Sequence, residues 1–125
     1  MDVDQRIAEL TQKMLRRKFY AVLSKASETP QKLKAFLPAH LEYMIELEKR
    51  GVLFASGPLA DGEGPQSGAG LTILRAANAQ EARKLAEDDP FVSSGLRTFE
   101  LKEWIVNEGT FGLRVNFSDQ SVEVA

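Results

Sequence analysis

The sequence predicts an α+β protein of ferredoxin-like βαββαβ order, in which an antiparallel sheet carries both helices on one face. Three observations predict it. Short apolar runs at Phe19–Leu23 and Val52–Ser56 bracket a long amphipathic helical pattern. A second pair of strand-like runs, Leu71–Leu74 and Arg97–Val106, brackets a shorter helix that Asn78 can cap. Several of these strands are apolar on both sides, so the sheet face without helices is expected to meet a second copy in a homodimer.

The elements follow in order. Asp2 or Asp4 caps a first helix over residues 3–16, with Val3, Ile7, Leu10 and Met14 on one face. So narrow a stripe needs the body of the domain or another subunit to pack on. Arg16, Arg17 and Lys18 read as a solvated helix end. Pro30 starts the long helix, over residues 30–50, whose Leu33, Phe36, Leu37, His40, Leu41, Met44 and Leu47 share a side. Pro38 falls inside it and predicts a kink or a restart, which would set His40 near a helix N-terminus. Gly51 is the stop.

Residues 57–70, with five glycines and two prolines in fourteen positions, predict a mobile loop that could close as a flap. The second helix ends at Asp88-Asp89-Pro90, because a residue before proline is biased away from helix. Phe91–Gly95 reads as a turn. Phe111, Leu113, Val115 and Phe117 alternate with polar or small residues, so a fifth strand is expected over 110–117. The tail from Ser118 is expected to fray.

The 125 residues suffice for one domain with a core. A net charge of −2 argues against a nucleic-acid partner, and no apolar run is long enough to span a bilayer. A cytoplasmic protein is the default expectation. Without cysteines there are no disulfides and no thiolate chemistry. One histidine with scattered acids lacks the ligand spacing of a metal centre, so no metal is expected.

His40, the single histidine, is the side chain whose ordinary titration range spans neutral pH. A carboxylate on one ring nitrogen would fix its tautomer and raise the basicity of the other nitrogen. Asp61, Glu63, Asp88 and Asp89 are available for this, and spacing does not choose among them. Phe54, Phe91 and Trp104 are candidates for an apolar pocket wall, although such rings are more often ordinary core.

His40-Leu41 with its apolar helix, the run Gly51-Val-Leu-Phe-Ala-Ser-Gly-Pro58, Glu81-Ala82-Arg83, Asp89-Pro90-Phe91, Gly95-Leu96 and Trp104 form an ordered set. Over residues 17–105 that set resembles the YciI-like (YCII-related) family, of the dimeric α+β barrel group. The resemblance implies two sheets packed face to face and a His-Asp active site. Carried onto this chain, the pair is His40 and Asp89, with Ser56, Gly57 and Pro58 as the adjacent wall. One branch of the family eliminates chloride from chlorinated hydroxylated aromatics. Related barrel proteins isomerise lactones or oxidise quinols without a cofactor. The helix at 3–16 and the strand at 110–117 depart from the family pattern.

Two readings follow. One is a small cofactor-free enzyme using His40 and Asp89 for acid–base chemistry on an aromatic or lactone-like molecule. The other is a non-catalytic ligand-binding or regulatory module, since ACT and RRM domains share the βαββαβ order. RRM fits poorly, because Gly70-Leu-Thr-Ile-Leu-Arg75 offers no aromatic residue for a base to stack on.

Overall fold

A computed structural model describes residues 2–61 and 66–125. Contacts divide the chain into two compact units, residues 18–105 and the terminal segments 1–17 with 106–125.

In the larger unit, strands β1 (Arg17–Ala26), β2 (Leu53–Ala60), β3 (Gln66–Leu74) and β4 (Arg97–Val106) form one sheet in the order β2-β3-β1-β4. Strand β3 runs antiparallel to both of its neighbours. With helices α2 (Pro30–Lys49) and α3 (Ala79–Glu87), this is the ferredoxin-like βαββαβ order.

Alternation along β1 decides the two faces of the sheet. Tyr20 and Val22 point to the helices and build the core with Leu74, Met44, Leu47, Ala82, Leu85 and Ala86. Phe19 has the opposite phase and packs on Phe54 and Trp104, with the Arg75 guanidinium over its ring.

Helix α2 runs through Pro38 without a break. The expected restart is therefore absent, and His40 stands in mid-helix rather than near an N-terminus. The apolar stripe of α2 also splits. Met44 and Leu47 are buried in the core, whereas Leu37, Leu41 and Ile45 remain largely exposed.

The helices end as their sequences require. Gly51 and Gly95 both adopt positive φ, at 74° and 80°. After α2, Gly51 and Val52 donate back to Glu48 and Leu47. After the single helical turn α4 (Pro90–Ser93), Gly95 and Leu96 donate back to Val92 and Phe91 in the same pattern. A residue without Cβ reaches this left-handed C-terminal cap at little cost. Residues 91–95, expected as a plain turn, thus include the end of a capped helical turn.

The glycine-rich stretch is another correction. Gly57, Pro58, Leu59 and Ala60 pair with Leu71, Gly70, Ala69 and Gln66, so most of it lies in the β2–β3 hairpin rather than in a loop. The centre of the proposed flap lies outside the described residues. Pairing uses the backbone, so small residues on an edge strand do not prevent it.

In the terminal unit, α1 (Val3–Thr11) starts with a capping box between Asp2 and Gln5. It stops well short of residue 16 and buries no residue. Arg16 takes a left-handed backbone, while Arg17 and Lys18 already belong to β1, so the basic triplet is not a helix end. The expected last strand shortens to β5 (Leu113–Val115) and pairs with β6 (Val122–Val124) in a separate two-stranded sheet. The tail therefore does not simply fray. Asp119 accepts from the Ser121 amide in the connecting turn, which holds the Asp119 carboxyl below the usual carboxylate range.

Leu47, 1% exposed, sits at the centre of the core between α2 and the sheet. Leu47→Ala is expected to cost about 2–5 kcal/mol, because the cavity it leaves cannot fully collapse. Urea unfolding would show this as a lower midpoint with an unchanged slope.

Candidate functional site

The site forms where α2 faces the α3–α4 corner above the sheet. Helix α3 ends on Asp88, whose carboxylate accepts from Lys84 Nζ at 2.9 Å on the surface. The next residue, Asp89, turns out of helical geometry and becomes the N-cap of α4, accepting from the Phe91 amide at 3.0 Å. Pro90 fills the first position of that turn, where no amide is needed. Two adjacent aspartates thus point to different surroundings.

The Asp89 carboxylate meets His40, whose Nδ1 is 2.9 Å from both Oδ1 and Oδ2. A carboxylate only accepts, so Nδ1 carries the proton and Nε2 is left with its lone pair when the ring is neutral. The side chains are 18% and 14% exposed, so the pair is sheltered yet reachable. The His40 ring also stacks on Phe91, with centroids 4.5 Å apart. No other hydrogen bond to His40 occurs among the described residues. Asp61 lies on the surface without one, and Glu63 lies outside the described residues.

His40 and Asp89 border a cavity of about 1130 Å³ between α2 and the β2–β3 hairpin. The exposed stripe of α2 explains its walls, because Leu33, Leu37, Leu41 and Ile45 line it instead of entering the core. Phe54, Ser56, Gly57, Pro58 and Phe91 also line it. Ser56 Oγ is 2.7 Å from Thr72 Oγ1 on the paired strand, so the two hydroxyls share a hydrogen bond.

Trp104 does not line the cavity. Phe99 and Leu101 pack on the core, and an odd step from 101 to 104 puts the indole on the other face, against Phe19. Among the described residues no cluster of His, Asp and Glu is placed to hold a metal ion. None of the described helices is long and apolar enough to cross a membrane.

Three participants were not picked out from the sequence. Arg97 opens β4 on the helix side, donates from Nε to Ser24 Oγ at 3.1 Å and from Nη2 to the Gly68 carbonyl at 2.9 Å, and lines the cavity with Ser24. Burial works against its charge and the nearby Asp89 carboxylate supports it. The signal was a cation in phase with Phe99 and Leu101, hence directed inward. Tyr43, one turn beyond His40, donates to the Leu85 carbonyl at 2.7 Å and ties α2 to α3.

The class of protein that these elements define is a ferredoxin-like sheet with a cavity on its helix side. The family model described as the YCII-related domain matches residues 18–105, and the chain belongs to that family. It is 27% identical over 85 residues to the uncharacterised protein YjpA of Bacillus subtilis (strain 168), covering 68% of this chain and 94% of YjpA. Among solved structures it is similar to 5-chloro-2-hydroxyhydroquinone dehydrochlorinase (TftG) from Burkholderia phenoliruptrix AC1100, in complex with 2,5-dihydroxybenzoquinone. The TM-score is 0.54 and the identity 24%, covering 69% of this chain and 92% of TftG, a likeness of fold.

Burial, with Asp88 and Asp89 nearby, pushes the Tyr43 phenol up to about 12 from its ordinary 10.0. Between these values the unfolded chain has lost the proton that the folded chain keeps. The contribution is complete below the unfolded value and is lost as pH rises through the folded one. Wild type is therefore expected to lose stability more steeply than Tyr43→Phe as pH rises from 10.0 towards about 12, measured by urea unfolding across that window. Parallel pH dependences would refute the assignment.

Proposed function

We propose that this protein is a small enzyme in which His40 performs general acid–base catalysis, with Asp89 orienting the ring. The observation that carries this reading is the division of the imidazole: Nδ1 is committed to Asp89, while Nε2 has no hydrogen-bond partner among the described residues and His40 borders the cavity. An imidazole held in one tautomer, with its second nitrogen available, is suited to take a proton from a bound molecule. Asp89 then stabilises the imidazolium that forms.

The substrate proposed is a small aromatic or lactone-like molecule. Leu37, Leu41 and Phe91 offer it apolar contact, and Ser56, Gly57 and Pro58 form the wall on the β2 side. In an elimination, Nε2 takes the proton, the electrons of the broken bond form a new π bond, and the leaving group departs with its own pair. In an isomerisation, the same proton returns at another position. The likeness to a dehydrochlorinase supports trying elimination first. The proposed proton transfers call on no cofactor.

Chlorinated hydroxyquinols are the first substrates to offer, with chloride release as the readout. For any substrate turned over, His40→Gln should lower kcat on the order of 10²- to 10⁴-fold. Asp89→Asn keeps an N-cap side chain, so α4 should still form while activity drops by a similar factor. Undiminished turnover in folded His40→Gln would sink the acid–base mechanism and favour the ligand-binding module.

The same reading includes a cytoplasmic homodimer in which a second copy covers the sheet face opposite the helices. Leu23, Phe54 and Trp104 leave large apolar area exposed on a single chain. Leu23→Arg is expected to convert a dimer to a monomer in light scattering. A wild type that is monomeric at every concentration would rule the dimer out.

A further inference from the structure

Arg97 lies across the sheet floor of the cavity. Its side chain starts on β4, passes Ser24 on β1 and reaches Gly68 on β3, so it spans three neighbouring strands. The guanidinium also sits over the Phe91 ring, 5.8 Å from its centroid. That same ring stacks on His40, so the cation and the imidazole share a neighbour.

The backbone leaves room for this arrangement. A Cβ added at Gly70 would stand 3.1 Å from Ser24 Oγ and 3.4 Å from Arg97 Nη2. Any larger residue there would therefore press on both the guanidinium and the hydroxyl that holds it. Small residues at this point of β3 are what allow a long cation to lie flat.

The hydrogen bonds of Arg97 are incomplete. A guanidinium has five N–H donors. Ser24 takes one from Nε and the Gly68 carbonyl one from Nη2, while Nη1 has no partner among the described residues. No ion pair among the described residues includes Arg97. The nearby Asp89 carboxylate is shared between His40 and the Phe91 amide. A half-buried cation with its remaining donors beside a large cavity is suited to an anionic oxygen supplied from outside.

We propose that Arg97 is the anion-recognising residue of this cavity, and that the molecule bound beside His40 carries an ionised oxygen on a small, largely apolar skeleton. A carboxylate, a phenolate and an enolate share this chemistry. The proposal deepens the acid–base reading by naming the substrate class, and depends on that reading only for the cavity as the binding site. An ionised oxygen held by Arg97 would fix which end of the molecule faces Nε2, so Arg97 is a specificity-determining residue rather than a proton carrier.

Benzoate and benzamide test it, since they have nearly the same shape and differ in charge. Titrated into the full chain by calorimetry, benzoate is expected to bind about tenfold or more tightly than benzamide, as a charge-assisted hydrogen bond implies. Arg97→Gln should erase that preference, Arg97→Lys should keep only part of it, and His40→Gln should retain it. A wild type that binds neither probe, or both equally, overturns the proposal, as does a folded Arg97→Gln that still prefers benzoate. Should Arg97→Gln not fold, the Arg97 Nε–H signal of the wild type decides by NMR. It must move on benzoate saturation, and a signal that stays put overturns the proposal. Normal turnover by His40→Gln would end the acid–base reading and leave this charge preference standing. Equal binding of the two probes would do the reverse.

Discussion

The contact between His40 Nδ1 and the Asp89 carboxylate joins two parts of the chain that the fold brings together from 49 residues apart. It spans from the middle of α2 to the corner where α3 gives way to α4. Both ends of the contact are prepared by the backbone: α2 stays helical through Pro38, and Asp89 is turned inward because it caps α4. The capped exit at Gly95 then sends the chain into β4, and Ser27 ties that exit to the end of β1 through the Gly95 and Leu96 carbonyls. Once Asp89 takes Nδ1–H, the tautomer of His40 and the direction of its lone pair follow.

Much of the fold was legible because periodicity reports which side of an element is covered. The apolar run at Phe19–Leu23, the Asn78 cap and the Gly51 stop all reappear in the structure. Where reading failed, local chemistry met a longer-range constraint. Gly57, Pro58 and Gly70 are turn-formers by composition, yet a neighbouring strand supplies backbone partners and keeps them extended. Pro38 removes one amide donor, a loss that α2 absorbs without breaking. The alternation from Phe111 to Phe117 predicts a fifth strand over 110–117, of which only Leu113–Val115 forms one. Phe117 is 93% exposed, because period two records a pattern of faces and not the presence of a covering layer.

The candidate site was legible unevenly. His40 was conspicuous as the only histidine, but spacing could not separate Asp88 from Asp89. What separates them is the change from α3 C-cap to α4 N-cap within two residues, a backbone event that composition does not encode. Arg97 went unnoticed because a charge on a strand usually faces water. Its inward phase follows from Phe99 and Leu101, two and four residues on, which pack on the core. Trp104 was misplaced for the complementary reason, since hydrophobicity alone does not say which side of a sheet a ring occupies.

The division of α2 bears on how such a protein can change over generations. Met44 and Leu47 anchor this helix in the core, while Leu33, Leu37, Leu41 and Ile45 serve chiefly as cavity wall. Natural variation at those four positions can reshape the volume offered to a guest while the helix stays anchored by Met44 and Leu47. One scaffold can therefore diversify its chemistry by drifting along a single helical flank, with little danger to its own folding.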